Sequence, residues 1–262
     1  MGIMTDTLER IEANLNYAGK GPGVSRKLVA IHDGRTIRDR FTLDQQGFAL
    51  RRHKTAVSNF FDPAEVRSIY YPEVEQLLRE ATGAAKAVAF EHDVRCTSTA
   101  EREATGARQA VKVVHDDYTE QSAPERVRLY LPQEADALLR QRYAVINVWR
   151  AIKGPVRDTP LAVCDGQTIA QEDLIPTEEG VKHEVYLFNF NPNHRWYYFS
   201  AMTTSEVLLL KCFDSIKDRR ARLTAHSAFD LPAMPPHSQA RQSIEVRALV
   251  FFPHDAATAA SA

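Results

Sequence analysis

The stretch Val113-Val114-His115-Asp116-Asp117-Tyr118-Thr119 sets an imidazole and two carboxylates directly after an apolar pair that reads as the end of a buried strand. Residues two apart on an extended segment point to the same side, so His115 and Asp117 can converge on one metal ion while Asp116 points away, outward. A second imidazole, His226, lies far downstream in Thr224-Ala225-His226-Ser227-Ala228-Phe229. Two histidines and one carboxylate on one octahedral face leave three positions open, a ligand set suited to non-haem Fe(II). A 2-oxo acid can fill two of them and O2 the third, while the protein supplies orientation and a dry cavity. Arg241 and Ser243 follow fifteen residues after His226 and are again two apart. A guanidinium fork beside a hydroxyl suits the far carboxylate of a 2-oxo diacid. Arg247 lies on the same strand face and is a rival for that role. With Glu245 it also reads as an ordinary pair of charges on a strand.

Other side chains are candidates for the substrate wall. Tyr118 and Thr119 follow the metal pair. Asn147, Trp149 and Arg150 end an apolar run and combine an amide, a flat apolar face and a cation. His194, Arg195, Trp196 and Tyr198 form a second candidate wall, with core packing the stronger reading. His32, His53, His92, His183 and His237 have no spacing that points to ligation. Lys211 can pair with Asp214.

The elements that must position these residues are mostly strands. With 262 residues, 44% of them apolar and 26% charged, one globular domain over 1–262 is expected. The glycine-rich residues 1–26 read as an N-terminal arm, and the alanine-rich 253–262 as a frayed tail. Asp62-Pro63-Ala64-Glu65 reads as a helix start, with Pro72 expected to break or kink the helix and Gly83 to stop it. Residues 97–110 read as a polar loop and 132–140 as a short helix. Strands are expected around Leu28–Ile31, Gly47–Leu50, Ala87–Phe90, Ala144–Trp149, Val185–Phe188, Trp196–Phe199, Val207–Leu210 and Ile244–Phe252. Helices in the first half and strands in the second argue against a doubly wound fold. They favour a mainly β architecture, a double-stranded β-helix (jelly roll, cupin-like) with helices packed outside.

A net charge of −1 without a basic run argues against nucleic acid as a partner. No apolar run reaches transmembrane length, and the first sixteen residues lack the pattern of a targeting peptide. Cys96, Cys164 and Cys212 are an odd number of widely spaced thiols, expected to be reduced in a cytoplasmic protein. The expected partner is a small molecule, and nothing in the pattern dictates an oligomeric state.

Several segments together carry a family resemblance. They are Leu15-Asn16-Tyr17, His115–Thr119, Asn147–Arg150, Gly154–Ala162, His194–Phe199, Lys211–Ser215, Thr224–Asp230 and Arg241–Arg247. The chain resembles the CmcJ-like and AsaB-like hydroxylase/desaturase group of Fe(II)/2-oxoglutarate-dependent oxygenases of secondary metabolism. It departs from that group at Asp116, where Asn is common, and at Gln242, where Glu is. The resemblance implies a jelly roll holding Fe(II) on His115, Asp117 and His226, with 2-oxoglutarate on Arg241 and Ser243, and O2 as oxidant. It implies oxidation of a small metabolite by C–H abstraction, ending in hydroxylation, desaturation or rearrangement. The alternative of a different class is a non-oxidative cupin-like metal-binding isomerase or an accessory subunit of an oxygenase, neither of which would need Arg241-x-Ser243. A hydrolase using Zn(II) would need a general base, and Asp116 is its one candidate.

Overall fold

The computed structural model describes residues 8–19, 23–177, 184–233 and 238–253. His183, His237 and the tail beyond Pro253 lie outside them, as does part of the glycine-rich arm. In chain order the elements are β1 (Arg10–Ala18), β2 (Val24–Asp33), β3 (Phe48–Arg52), α1 (Pro63–Glu65), a π-helical stretch Val66–Tyr70 and α2 (Tyr71–Thr82). Then come β4 (Lys86–Cys96), α3 (Thr99–Thr105), β5 (His115–Asp116), α4 (Ser122–Tyr130), α5 (Ala135–Leu138) and β6 (Tyr143–Lys153). They are followed by β7 (Leu161–Cys164), β8 (Leu174–Pro176), β9 (Tyr186–Phe188), β10 (Trp196–Tyr198), β11 (Glu206–Asp214), β12 (His226–Ala228) and β13 (Gln242–Phe251).

The strands form two sheets of a jelly roll. One runs β1-β2-β10-β7-β12-β5-β9-β8 and the other β3-β11-β6-β13-β4. Period-2 alternation sorts the five-stranded sheet into two faces. Val145, Trp149, Leu208, Leu210 and Leu249 turn inward toward Tyr197 and Val163 of the other sheet. Ile146, Val148, Leu209, Val246 and Ala248 turn outward and bury Val74, Leu77 and Leu78 of α2. A helix thus covers the outer face, which would otherwise be an exposed apolar sheet.

The eight-stranded sheet curls until β1 meets the segment leading into β5. Val114 N donates to Asn16 O at 2.8 Å, and Asn16 Nδ2 donates to Lys112 O at 2.6 Å. The arm read in the sequence is therefore ordered over Arg10–Ala18, with Ala13, Leu15 and Tyr17 buried on alternate positions.

Two local expectations change. Asp62 caps the helix start through Ala64 N, but Pro72 does not break the helix. The preceding turn widens to a π-helical one, the kind of local adjustment that accommodates an irregular backbone position without ending the helix. The polar 97–110 segment contains α3, capped by Ser98 and stopped by Gly106 at φ 73°.

Candidate metal centre

His115 and His226 are direct cross-strand partners on β5 and β12. That register brings their ring centroids to 4.3 Å. Asp117 is two residues beyond His115, and its Oδ1 lies 3.6 Å from His115 Nε2. One ligand atom from each of the three residues lies within 4.8 Å of the others. The lone-pair donors are mutually exposed because the other ring nitrogens are occupied. His115 Nδ1 donates to Val113 O at 2.7 Å and His226 Nδ1 to Thr224 O at 3.0 Å. A carbonyl can only accept, so each Nδ1 carries the proton and each Nε2 is a free donor to a metal. Burial, helped by repulsion from His226, lowers the His115 pKa to about 4, and burial lowers that of His226. Both imidazoles are therefore neutral at physiological pH, the form that ligates.

The second oxygen of Asp117 is held from behind. Asn147 Nδ2 donates to Oδ2 at 2.7 Å and Arg247 Nε at 3.0 Å. Those two donors are opposite residues of β6 and β13. Burial alone would raise the Asp117 carboxyl. The Arg247 guanidinium, with the Asn147 amide, instead holds it far below the usual carboxylate range. Two neutral imidazoles and an ionised carboxylate fit a divalent first-row metal.

Asp116 does point away from the triad, but inward rather than outward. It is 0% exposed, and an oxygen of it lies within 4.8 Å of Cys212 Sγ and a His226 ring nitrogen. β5 sits between β12 and β9, and the face opposite His115 and Asp117 is covered by protein, with Cys212 beside Asp116. Burial and the charge of Asp117 push the Asp116 carboxyl well above its usual range.

The two arginines of β13 differ in company. Arg247 also donates to Asp93 Oδ2 at 3.1 Å and lies 3.5 Å from Glu245 Oε1, so three carboxylates surround it. Burial opposes its charge, but Asp117 and Glu245 keep its pKa well above the usual value. Arg241 is 3% exposed and meets no carboxylate within 4 Å of its guanidinium among the described residues. Its Nη1 donates to Thr159 O at 2.6 Å, its Nε has no partner, and its carbon lies 5.7 Å from the Trp149 ring centroid. Burial, with repulsion from Arg95, lowers its pKa to about 10. Ser243 is buried beside it on β13, opposite Arg95 of β4. A buried guanidinium with an unused N–H is able to bind an anion. Thr159 itself has φ 45°, a left-handed conformation that aims its carbonyl at Arg241 and that a β-branched residue adopts only under constraint.

The other candidates separate. Tyr118 lines a 640 Å³ cavity that opens on His115 and Asp117. Asn147 touches the ligand carboxylate, and Trp149 lies under Arg241. Arg150 is on the opposite face of β6, one residue out of phase. It donates to Tyr70 Oη at 3.0 Å and to the carbonyls of Thr204 and His53, so it fastens the helical layer and does not reach the cavity. Thr119 Oγ1 accepts from Gln121 N at 3.2 Å and Ser122 N at 3.0 Å, and so is engaged in the turn that leads into α4. His194 is locked between Asp173 at 3.0 Å and Tyr17 at 3.1 Å, with Trp196 donating to Tyr17, and is a core residue. Lys211 pairs with Asp214 at 2.9 Å, and all three cysteines are buried free thiols. Among the described residues no helix is long and apolar enough to cross a membrane.

Sequence reasoning missed the cavity wall supplied by β4. Glu91, Asp93 and Arg95 recur at alternate positions, the signature of a charged strand face that the flanking apolar residues hide.

A family model described as an oxidoreductase/YMDC permease-like domain matches residues 9–251. The hydroxylase/desaturase efuI of Hormonema carpetanum is 36% identical over 249 residues, covering 86% of this chain and 83% of its own. The Fe(II)/2-oxoglutarate-dependent dioxygenase nvfI of Aspergillus novofumigatus is 34% identical over 233 residues, covering 85% of this chain and 82% of its own. A solved structure of the iron and alpha-ketoglutarate-dependent endoperoxidase NvfI matches with a TM-score of 0.85 at 29% identity, over 94% of this chain and 99% of that one. With the jelly roll, the converging triad and these likenesses together, the chain belongs to the hydroxylase/desaturase family of Fe(II)/2-oxoglutarate-dependent oxygenases.

Proposed function

We propose that His115, Asp117 and His226 are the iron ligands of this oxygenase, and that Arg241 with Ser243 holds the distal carboxylate of 2-oxoglutarate. The 640 Å³ cavity then receives a small secondary metabolite for hydroxylation, desaturation or another oxidative C–H modification. The observation that carries this reading is the convergence of two neutral Nε2 atoms and Asp117 Oδ1, each with its other polar atom already bonded inside the protein. Iron, 2-oxoglutarate and O2 supply the oxidation, the cosubstrate leaving as succinate and CO2 as a substrate C–H bond is broken.

The protein's own residues orient and insulate. Val113 O and Thr224 O fix the tautomer and pitch of the two rings. Asn147 and Arg247 occupy Asp117 Oδ2 and leave Oδ1 toward the histidines. Arg241, buried and 5.7 Å from the Trp149 ring centroid, offers its guanidinium to an anion. Arg247, already neutralised by three carboxylates, is read as the holder of Asp117 and not as the anchor. His115→Ala and Asp117→Ala are expected to abolish Fe(II)- and 2-oxoglutarate-dependent succinate formation. Full succinate formation in either variant would overturn the ligand assignment.

A further inference from the structure

We propose that the cavity beside His115 and Asp117 is built for an amphipathic organic acid, an apolar small molecule whose fixed negative charge docks on Arg95 and Arg108 at the mouth. The inference rests on the reading of this cavity as the substrate chamber.

The walls have opposite characters. Val111, Val113, Val185 and Leu187 form one side, and Leu129 of α4 continues it outward as an apolar lip, 61% exposed. A large aliphatic side chain that open to water marks a contact surface when it joins an apolar wall. Most of the other lining residues are charged, with Glu91 and Asp93 set among Arg95, Arg108, Arg126 and Arg247. Asp93, 8% exposed, is shared by three guanidinium groups: Arg95 at 3.2 Å, Arg247 at 3.1 Å and Arg108 at 2.9 Å. Arg247 has Asp117 and Glu245 as well. Arg95 and Arg108 have no other carboxylate within 4 Å among the described residues. Glu91, the other carboxylate of this wall, accepts from Tyr130 Oη at 2.6 Å, so Arg95 and Arg108 share a single carboxylate where the cavity meets solvent.

The cations are also fixed in place. Arg108 N donates to Val94 O at 2.8 Å and Cys96 N to Arg108 O at 2.9 Å, which lays the Arg108 backbone along β4. Arg95 Nη1 donates to Gln109 O at 2.8 Å. Arg108 uses one nitrogen on Asp93, and its side chain is 70% exposed, so its remaining N–H groups face the opening. A neutral apolar substrate would gain nothing from this edge, whereas an anion can accept the Arg108 N–H groups that Asp93 leaves unused. An amphipathic acid sets its anion on the arginines, lays its hydrocarbon against the valine and leucine wall, and presents C–H bonds toward His115 and Asp117.

The test uses two fluorescent dyes that share one ring skeleton, 8-anilinonaphthalene-1-sulfonate and the uncharged N-phenyl-1-naphthylamine, titrated into the full chain. The wild type is expected to prefer the sulfonate. Arg108→Gln, at an exposed position that does not threaten folding, is expected to lower the ratio of sulfonate to neutral affinity by about threefold or more, and Arg108→Lys to restore most of it. A smaller fall, or equal loss for both dyes, overturns the proposal. Succinate formation by the wild-type chain is measured in parallel. If it is absent while dye preference follows Arg108, the iron and cosubstrate roles fail and the anion site stands. If succinate forms while dye preference ignores Arg108, the anion site alone fails.

Discussion

Asp117 places its two oxygens in different surroundings, and that asymmetry defines the centre. Oδ1 faces His115 Nε2, while Oδ2 accepts from Asn147 at 2.7 Å and Arg247 at 3.0 Å. Without the amide, Oδ2 is free to swing toward the metal and the ligand loses its single orientation. Asn147→Ala is therefore expected to weaken Fe(II) affinity by roughly tenfold, measured by competition with a chromophoric chelator. Arg247→Lys keeps the charge but loses the second arm of the fork, and should fall between wild type and Asn147→Ala. Unchanged affinity in both variants would mean that the two bonds do not position the ligand. The shared side of His115 and Asp117, and of Arg241 and Ser243, was legible in the sequence because period-2 geometry fixes which residues share a face, whereas the meeting with His226 depends on a cross-strand pairing that alternation does not give. The fate of Asp116 was not, because alternation names a side without saying what covers it. Arg150 was separable by the same rule, being one residue out of phase with Asn147 and Trp149, but β6 is buried almost throughout and its two faces look alike in composition.

At the scale of elements, β1 is the part whose role was hidden. Its alternation of Ile11, Ala13, Leu15 and Tyr17 was present, but the glycines that follow argued for a loose arm. In the fold it docks the strand that carries His115 and delivers Tyr17 into the Asp173-His194-Tyr17-Trp196 chain. That chain joins the β9–β10 connection to β1 and holds the curled sheet closed. Burial lowers the His194 pKa, with Asp173 opposing, so the folded state favours the neutral ring. The sign follows directly: a lowered folded pKa means the unfolded chain takes up the proton first. Stability from this residue is full above about pH 6.5 and falls as pH drops through that value toward the folded pKa. His194→Ala should cost about 1–3 kcal/mol at pH 8, through the unpaired Asp173 and Tyr17 groups. The difference from wild type in thermal midpoint should shrink at pH 5. A difference that grows on acidification would contradict a neutral, structural His194. The helices α3 and α4 escaped notice for a related reason. Each is short, and Pro124 near the start of α4 weakens its periodic signal.

For the whole molecule, the two sheets divide the centre into a closed side and an open side. The strand order β3-β11-β6-β13-β4 could not be read from the sequence, because it depends on pairings between distant segments. That order sets β13 between β6 and β4. It brings the buried Arg241 end next to Trp149 and Thr159, and Arg247 behind Asp117. The open side is the 640 Å³ cavity, which reaches His115 and Asp117 but is not lined by Arg241. On the assignments proposed above, cosubstrate and substrate reach one metal by separate approaches, which is the central claim. The most direct measurement is an anaerobic titration of 2-oxoglutarate into the Fe(II)-loaded chain, followed by the weak visible absorption band of the iron–2-oxoglutarate complex. The account predicts a saturable band in the wild type, no band in Asp117→Ala, and a band in Arg241→Leu that requires roughly tenfold or more additional 2-oxoglutarate. No band in the wild type, an undiminished band in Asp117→Ala, or wild-type saturation in Arg241→Leu would contradict it.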